Sequence, residues 1–300
     1  MSIYPSFLQK GDKIALIAPA RKITFNEILP FIKLAEKRGF EVVYTDKLFE
    51  SNFQFAGDDD TRADDFQYWL NDNKIKALIA VRGGYGTARI IDKIDFSNFV
   101  KYPKWLIGFS DFTVVHSHVN TNFDIATLHA TMPIALNKLN SKVINSFNKL
   151  FDFIEGNLVQ YKLPKHKLNK TGNCKGKLCG GNLSVMISIM GSVSETSTDE
   201  KILFIEDLDE YLYHIDRMMQ CLKRAGKFDK IKGMLVGGMN KMHNNKVKFG
   251  LNAYQIVKTY AQELDIPVYF GINAGHISAN YPLIMGAEIQ IVNNCLKFGN

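Results

Sequence analysis

The chain has 300 residues, of which 46% are apolar and 22% charged, and it carries a formal net charge of +7. That is enough chain for one large domain or two ordinary ones, and the composition is that of a soluble globular protein, not a disordered or fibrous one. No apolar stretch approaches the roughly 18 residues of a membrane span, so no membrane association is expected. The first apolar run, IALIAPA (14–20), lies behind Lys10 and Lys13 and superficially suggests a secretion signal. It is short, however, and Gly11-Asp12 stand directly before it, so it reads as a first strand in a cytoplasmic protein.

The elements then follow in order. Residues 13–18 form a buried strand, and 26–38 have helical spacing at Ile28, Phe31, Ile32 and Ala35 with Gly39 placed to end the helix. EVVYT (41–45) reads as a strand, 61–71 as a helix, and KALIAV (76–81) and KWLIGF (104–109) as further buried strands. Uninterrupted apolar strands separated by helices imply a parallel sheet covered on both faces. Residues 156–176 are polar, basic and without helical period, which suits a connection between domains. Beyond it a helix is expected near 183–190 and a strand at 202–205. An amphipathic helix near 211–225 carries Leu212, Ile215, Met219 and Leu222 on one stripe. Strands follow at 234–236 and 268–270, with one or two more within 287–298. The expected class is α/β: an N-terminal parallel-sheet, Rossmann-like domain (1–155), a linker (156–176), and a smaller C-terminal α/β or β-rich domain (177–300).

Few features exclude or suggest partners. The four cysteines, at 174, 179, 221 and 295, have neither zinc nor redox spacing, so reduced thiols and no metal are expected. The lysines are scattered, although 162–177 is locally basic, which favours a solubility role over binding nucleic acid.

Two segments at strand ends can carry chemistry. In Arg82-Gly83-Gly84-Tyr85-Gly86, three glycines free backbone N–H groups to face a ligand, either as a phosphate cradle or as an oxyanion donor; otherwise the segment is a tight turn. In Gly108-Phe109-Ser110-Asp111, a serine lies between strand and helix, where it is either an exposed nucleophile or a helix cap. The hydrolase elbow has Gly two residues after the serine, whereas Phe112 stands here. A nucleophilic serine needs a base and an acid to orient it. His116 and His118 point in different directions from one helix. His129, after a possible strand, and His276, in a Gly- and Asn-containing loop, are better placed. Glu206 directly follows the apolar ILFI strand, where a carboxylate is rigid and partly desolvated. The acidic run 206–210 could instead hold a cation, although it lacks calcium-loop spacing.

Together, VRGGYGTARIIDKIDF, PKWLIGFSD, GGNLS, ILFIEDLDEYLYHIDRMM and GHISAN resemble the LD-carboxypeptidases, the muramoyltetrapeptide carboxypeptidase family of serine peptidases, over nearly the whole chain. The resemblance implies a nucleophile at Ser110, an acid at Glu206 and a base at His276, assembled between an N-terminal domain bearing the serine and a C-terminal domain bearing the other two. It also favours His276 over His129. It further implies cleavage of the bond before the terminal D-alanine of murein tetrapeptides in peptidoglycan recycling, no metal or organic cofactor, and a homodimer. The N–H groups of Asp111 and Gly84 would form the oxyanion hole, and Arg82, Gly83 and Tyr85 would contact substrate, with Arg82 taking the terminal carboxylate. The alternatives are a microcin C self-immunity type of peptidase acting on peptidyl or aminoacyl nucleotides, and a non-catalytic binder of cell-wall fragments.

Overall fold

Alternation of apolar strands with amphipathic helices gives the layering expected of the first half. The computed structural model describes residues 2–157 and 160–299. Strands β1 (Lys13–Ile17), β2 (Glu41–Val43), β3 (Ile75–Ala80), β4 (Trp105–Gly108) and β5 (Thr127–His129) alternate with helices α1 (Phe25–Arg38), α2 (Asp59–Asn71), α3 (Thr87–Ile90), α4 (Ser97–Lys101) and α5 (Thr113–Phe123). Helix α1 buries Ile28, Phe31, Ile32 and Ala35. It begins in a Thr24–Glu27 capping box and stops at Gly39, whose φ of 94° is the left-handed conformation a glycine C-cap supplies. The five strands pair in parallel in the order β5-β4-β3-β1-β2. The chain therefore leaves β1 toward one edge and β3 toward the other, and the loops after β1 and β3 open a crevice at their carboxyl ends.

Helix α6 (Ser141–Ile154) leads to the second half. There, β6 (Tyr161–Lys162), β7 (Cys174–Asn182), β8 (Lys201–Leu208), β9 (Gly233–Asn240) and β10 (Val268–Phe270) are joined by α7 (Leu183–Ser188), α8 (Leu212–Arg224) and α9 (Ala253–Ala261). Strand β11 (Leu283–Met285) precedes the hairpin of β12 (Glu288–Val292) and β13 (Cys295–Phe298). The second sheet runs β10-β9-β8-β7-β12-β13-β6, parallel from β10 to β7 and antiparallel beyond. The fold is thus α/β, with a parallel-rich first sheet and a second, mixed one. Helix α8 carries the expected stripe, with Leu212, Ile215, Met219 and Leu222 buried. Among the described residues no helix is long and apolar enough to cross a membrane.

Three strands differ from the sequence expectation. Strand β6 lies within 156–176, although Leu158 and Val159 of that segment are outside the described residues. Strand β7, CKGKLCGGN, has the glycines and lysines of a loop, yet it is central in the second sheet. Its glycines serve close packing, since a Cβ on Gly181 would strike the Thr113 side chain at 2.6 Å. Strand β11 pairs antiparallel with β5, with Leu283 opposite His129 and Ile284 opposite Leu128, so a segment from the last part of the chain completes the first sheet. We propose the division 1–155, 156–176 and 177–300 for the domains, with β11 lent across it.

Ile284 is buried in that shared strand. Ile284→Ala should destabilise the protein by about 2–5 kcal/mol, read as a lower urea midpoint at unchanged slope.

Candidate active site

Strand β4 is wholly buried and ends at Gly108, and the chain then turns sharply through Ser110. Ser110 has φ 64°, a left-handed conformation that costs a non-glycine residue about 1–2 kcal/mol. The turn holds because Gly108 has no side chain: a Cβ there would lie 2.8 Å from the Phe112 ring. Phe112 is buried against Phe66 and edge-on to His116. The large residue two places after the serine is therefore accommodated by the glycine two places before it. His116 secures the turn from below, with Nδ1 2.8 Å from Thr127 Oγ1 and Nε2 3.0 Å from the Gly108 carbonyl. Burial lowers its pKa to about 3, so it is a neutral structural group. The helix-cap reading of Ser110 is not what the structure shows. The N-cap of the 3₁₀ turn Ser110–Phe112 is Phe109, and the hydrogen-bond partner of the Ser110 hydroxyl is His276 rather than a helix-start N–H.

The hydroxyl meets His276, whose Nε2 lies 3.0 Å from Ser110 Oγ although 166 residues separate the two. On the other side of the ring, Nδ1 is 2.7 Å from Glu206 Oε2, and the His276 backbone N–H donates to the same oxygen at 2.9 Å. Glu206 is fully buried on β8, at an irregularity in the β8–β9 register between Ile205 and Asp207 that re-aims side chains at the strand end. Asn182, at the end of β7, donates from Nδ2 to Glu206 Oε1 at 3.3 Å and to Asp207 Oδ1 at 3.0 Å. Gly275 has φ 97°, and any Cβ there would overlap the Glu206 carboxylate, so glycine is what lets the histidine loop lie against the acid.

The charges follow from this packing. Burial would push the Glu206 carboxyl up, but the His276 charge and hydrogen bonds outweigh it and hold the group below the usual carboxylate range. Burial would lower His276, but the Glu206 charge and hydrogen bond outweigh it and raise its pKa. Asp207, buried beside Glu206, is pushed up to about 6.

Ser110 and His276 open into a cleft of about 470 Å³ at the crevice between the β1 and β3 loops. Arg82, Gly83, Gly84 and Tyr85 line it. A Cβ on Gly83 would lie 3.0 Å from Ser110 Oγ, whereas Gly84 is packed against the stem of Arg21. Among the described residues neither amide N–H has a backbone or side-chain acceptor, so both are available to a ligand. The carboxylate of Asp111 faces away and accepts from the Thr87 N–H at 2.8 Å and the Thr87 hydroxyl at 2.6 Å, anchoring the loop after β3 to the serine turn. Arg82 is engaged elsewhere: its Nη1 donates to the Lys22 carbonyl at 3.1 Å and lies 3.9 Å from Glu27 Oε1. His129 is fully buried between Phe109 and Phe204, and burial lowers its pKa to about 4, which removes it as the base. Two polar groups at the site were not singled out from sequence, Arg21 and Asn182, and Asp207 was read only as part of the acidic run. The GGNLS motif contained Asn182, but nothing local marked Arg21, one of two adjacent basic residues, Arg21-Lys22, in the loop after β1.

Family models for the LD-carboxypeptidase N-terminal domain and C-terminal domain match residues 14–130 and 175–291. The chain belongs to the LD-carboxypeptidase family. It is 33% identical over 95% of its length to a probable murein peptide carboxypeptidase of Bacillus subtilis, 90% of which is covered. A putative carboxypeptidase of Rickettsia conorii is 29% identical over 95% of the chain and 89% of its own length. Among solved structures, the muramoyltetrapeptide carboxypeptidase from Oxalobacter formigenes superposes with a TM-score of 0.86 at 25% identity, covering 96% of this chain and 99% of that one. The microcin C7 self immunity protein MccF has a TM-score of 0.89 at 19% identity and covers 98% of both chains, a likeness of fold.

Two outcomes follow for this LD-carboxypeptidase-family site. The His276 ring should stay protonated to a pH above the ordinary histidine value near 6.5, and Glu206→Gln should move its titration toward acid, as read by NMR of labelled histidine. Gly275→Ala should leave the fold intact by circular dichroism yet lower hydrolysis on the order of a hundredfold, because it displaces the acid from the base.

Proposed function

We propose that the chain is a serine carboxypeptidase that removes the terminal D-alanine from murein tetrapeptides, working in the cytoplasm as a homodimer in the recycling of cell-wall fragments. The observation that carries this reading is the Ser110–His276–Glu206 relay, at 3.0 and 2.7 Å, in a chain of a carboxypeptidase family. In this mechanism Ser110 Oγ attacks the carbonyl carbon of the scissile bond while its proton passes to His276 Nε2. Glu206 accepts the Nδ1 hydrogen bond, fixing the tautomer and stabilising the imidazolium. The oxyanion is held by the Asp111 N–H together with the Gly83 and Gly84 amides, donors whose individual loss typically costs about a hundredfold or more. Collapse of the intermediate expels the terminal amine, which takes the proton from His276. Water then hydrolyses the acyl-enzyme by the same route.

The raised pKa of His276 has a kinetic counterpart, since the base must be neutral to accept a proton. The acid limb of kcat/KM should therefore lie above pH 6.5. For the nucleotide-directed alternative, a base-stacking aromatic would be expected at the cleft. The aromatics that line the cleft are Tyr85, packed on Phe55, and Phe109, packed on His276, whereas Tyr211, Tyr213, His214 and His243 lie outside it.

Mass spectrometry of a tetrapeptide panel tests the proposal. Wild type should release D-alanine, and Ser110→Ala should lose at least about a thousandfold in rate. Retained hydrolysis by Ser110→Ala, or release of L-alanine only, overturns the reading. A serine-directed phosphonate should label wild type at Ser110, which a non-catalytic binder would not permit.

A further inference from the structure

We infer that Arg21 binds the free carboxylate of the leaving residue, so that it limits this enzyme to removing a single C-terminal residue. The inference rests on the hydrolase reading of the same site, and four observations point to it.

The first concerns charge. Two arginines, Arg21 and Arg82, line the cleft. Arg82 is committed to Glu27 and the Lys22 carbonyl, whereas Arg21 has no acidic partner among the described residues. An exposed guanidinium facing a cleft with its charge uncompensated suits a bidentate carboxylate ligand.

The second concerns position. Gly83 lies against the Ser110 hydroxyl and Gly84 against the Arg21 side chain, where a Cβ would lie 2.6 Å from Arg21 Cγ and Cδ. The nucleophile and the arginine stem thus pack against adjacent residues of one loop. One residue is also the separation between a scissile carbonyl and the carboxylate of a single leaving amino acid.

The third concerns rigidity. The backbone around Arg21 is pinned on both sides: the Ala56 N–H donates to the Ala20 carbonyl at 3.1 Å, the Lys22 N–H donates to the Gln54 carbonyl at 3.1 Å, and Arg21 itself bridges Phe55. The long side chain is thereby set at the mouth of the crevice, and Gly84, at φ 125°, leaves it room.

The fourth excludes the opposite wall. Asp207 and Asp209 line that side. The Ser184 N–H and Asn182 Nδ2 there already donate to Asp207, at 2.9 and 3.0 Å. A carboxylate placed on that wall would meet negative charge and spent donors.

The experiment compares a tetrapeptide ending in D-alanine with the same peptide ending in D-alaninamide, using the full chain. Wild type should prefer the acid on the order of 10- to 100-fold in kcat/KM, as loss of a charged hydrogen-bonded pair gives. Arg21→Gln should bring the two substrates to within about threefold of each other, by raising KM for the acid while leaving the amide unchanged. Arg21→Lys should keep part of the preference, and Arg82→Gln should keep the ratio whatever it does to the overall rate. An Arg21→Gln enzyme that is folded by circular dichroism and still prefers the acid overturns the Arg21 assignment alone. Wild type that cleaves the two peptides equally does the same. Wild type that cleaves neither overturns the hydrolase reading and the assignment with it. If Arg21→Gln does not fold, the Arg21→Lys ratio decides: a preference undiminished from wild type overturns the assignment, and a reduced one supports it.

Discussion

The contact between Glu206 and His276 is the constraint on which the site depends. A carboxylate with no solvent exposure would ordinarily give up its charge, because an isolated ion in a protein interior costs several kcal/mol. Glu206 stays ionised because one of its oxygens receives two N–H groups of His276 and the other receives Asn182. The same contact raises the affinity of His276 for a proton. Keeping the Glu206 carboxylate charged and raising the His276 pKa are thus one interaction seen from its two ends. It also fixes the loop after β10, so that Nε2 rather than Nδ1 faces the serine.

Backbone strain and glycine supply the other half. Ser110 sits in a conformation that a serine rarely adopts, and the turn is retained because the residues around it over-determine it. Phe112 fills the space left by Gly108, His116 holds the Gly108 carbonyl, and Asp111 ties the turn to Thr87. Thr113 then accepts from the Asn182 N–H at 3.0 Å, which links the serine turn of one sheet to the acid-supporting strand of the other. Together with β11, which crosses into the first sheet, this contact holds Ser110 and His276 in one frame.

The cleft has a polarity that follows from its two walls. The arginines come from the loops after β1 and β3, and the aspartates come from the end of β8 and the turn after it. In a crevice of this size, such a distribution of charge would give a peptide with a free carboxylate one preferred direction.

Much of this was legible in the sequence, and the reason is local. The buried strands, the α1 and α8 stripes and the glycine stops follow from periodicity and residue size. The three residues of the relay lie at strand ends or in a glycine-bearing loop, within motifs of a known family. What failed were the elements whose reason is not local. Strand β7 reads as a loop because its glycines answer to Thr113 and Phe204, residues distant in the chain. Strand β11 belongs to a sheet whose other strands lie more than a hundred residues earlier. Arg82 and Arg21 are equivalent as letters, and only packing shows that one is paired with Glu27 and the other is left facing the cleft. The sequence by itself named the candidates Ser110, Glu206 and His276, because residue type limits what chemistry a side chain can do and the family motifs single these three out. Tertiary structure alone decided which of them meet, since a hydrogen bond of 3.0 Å across 166 residues depends on how two sheets pack and not on any local pattern.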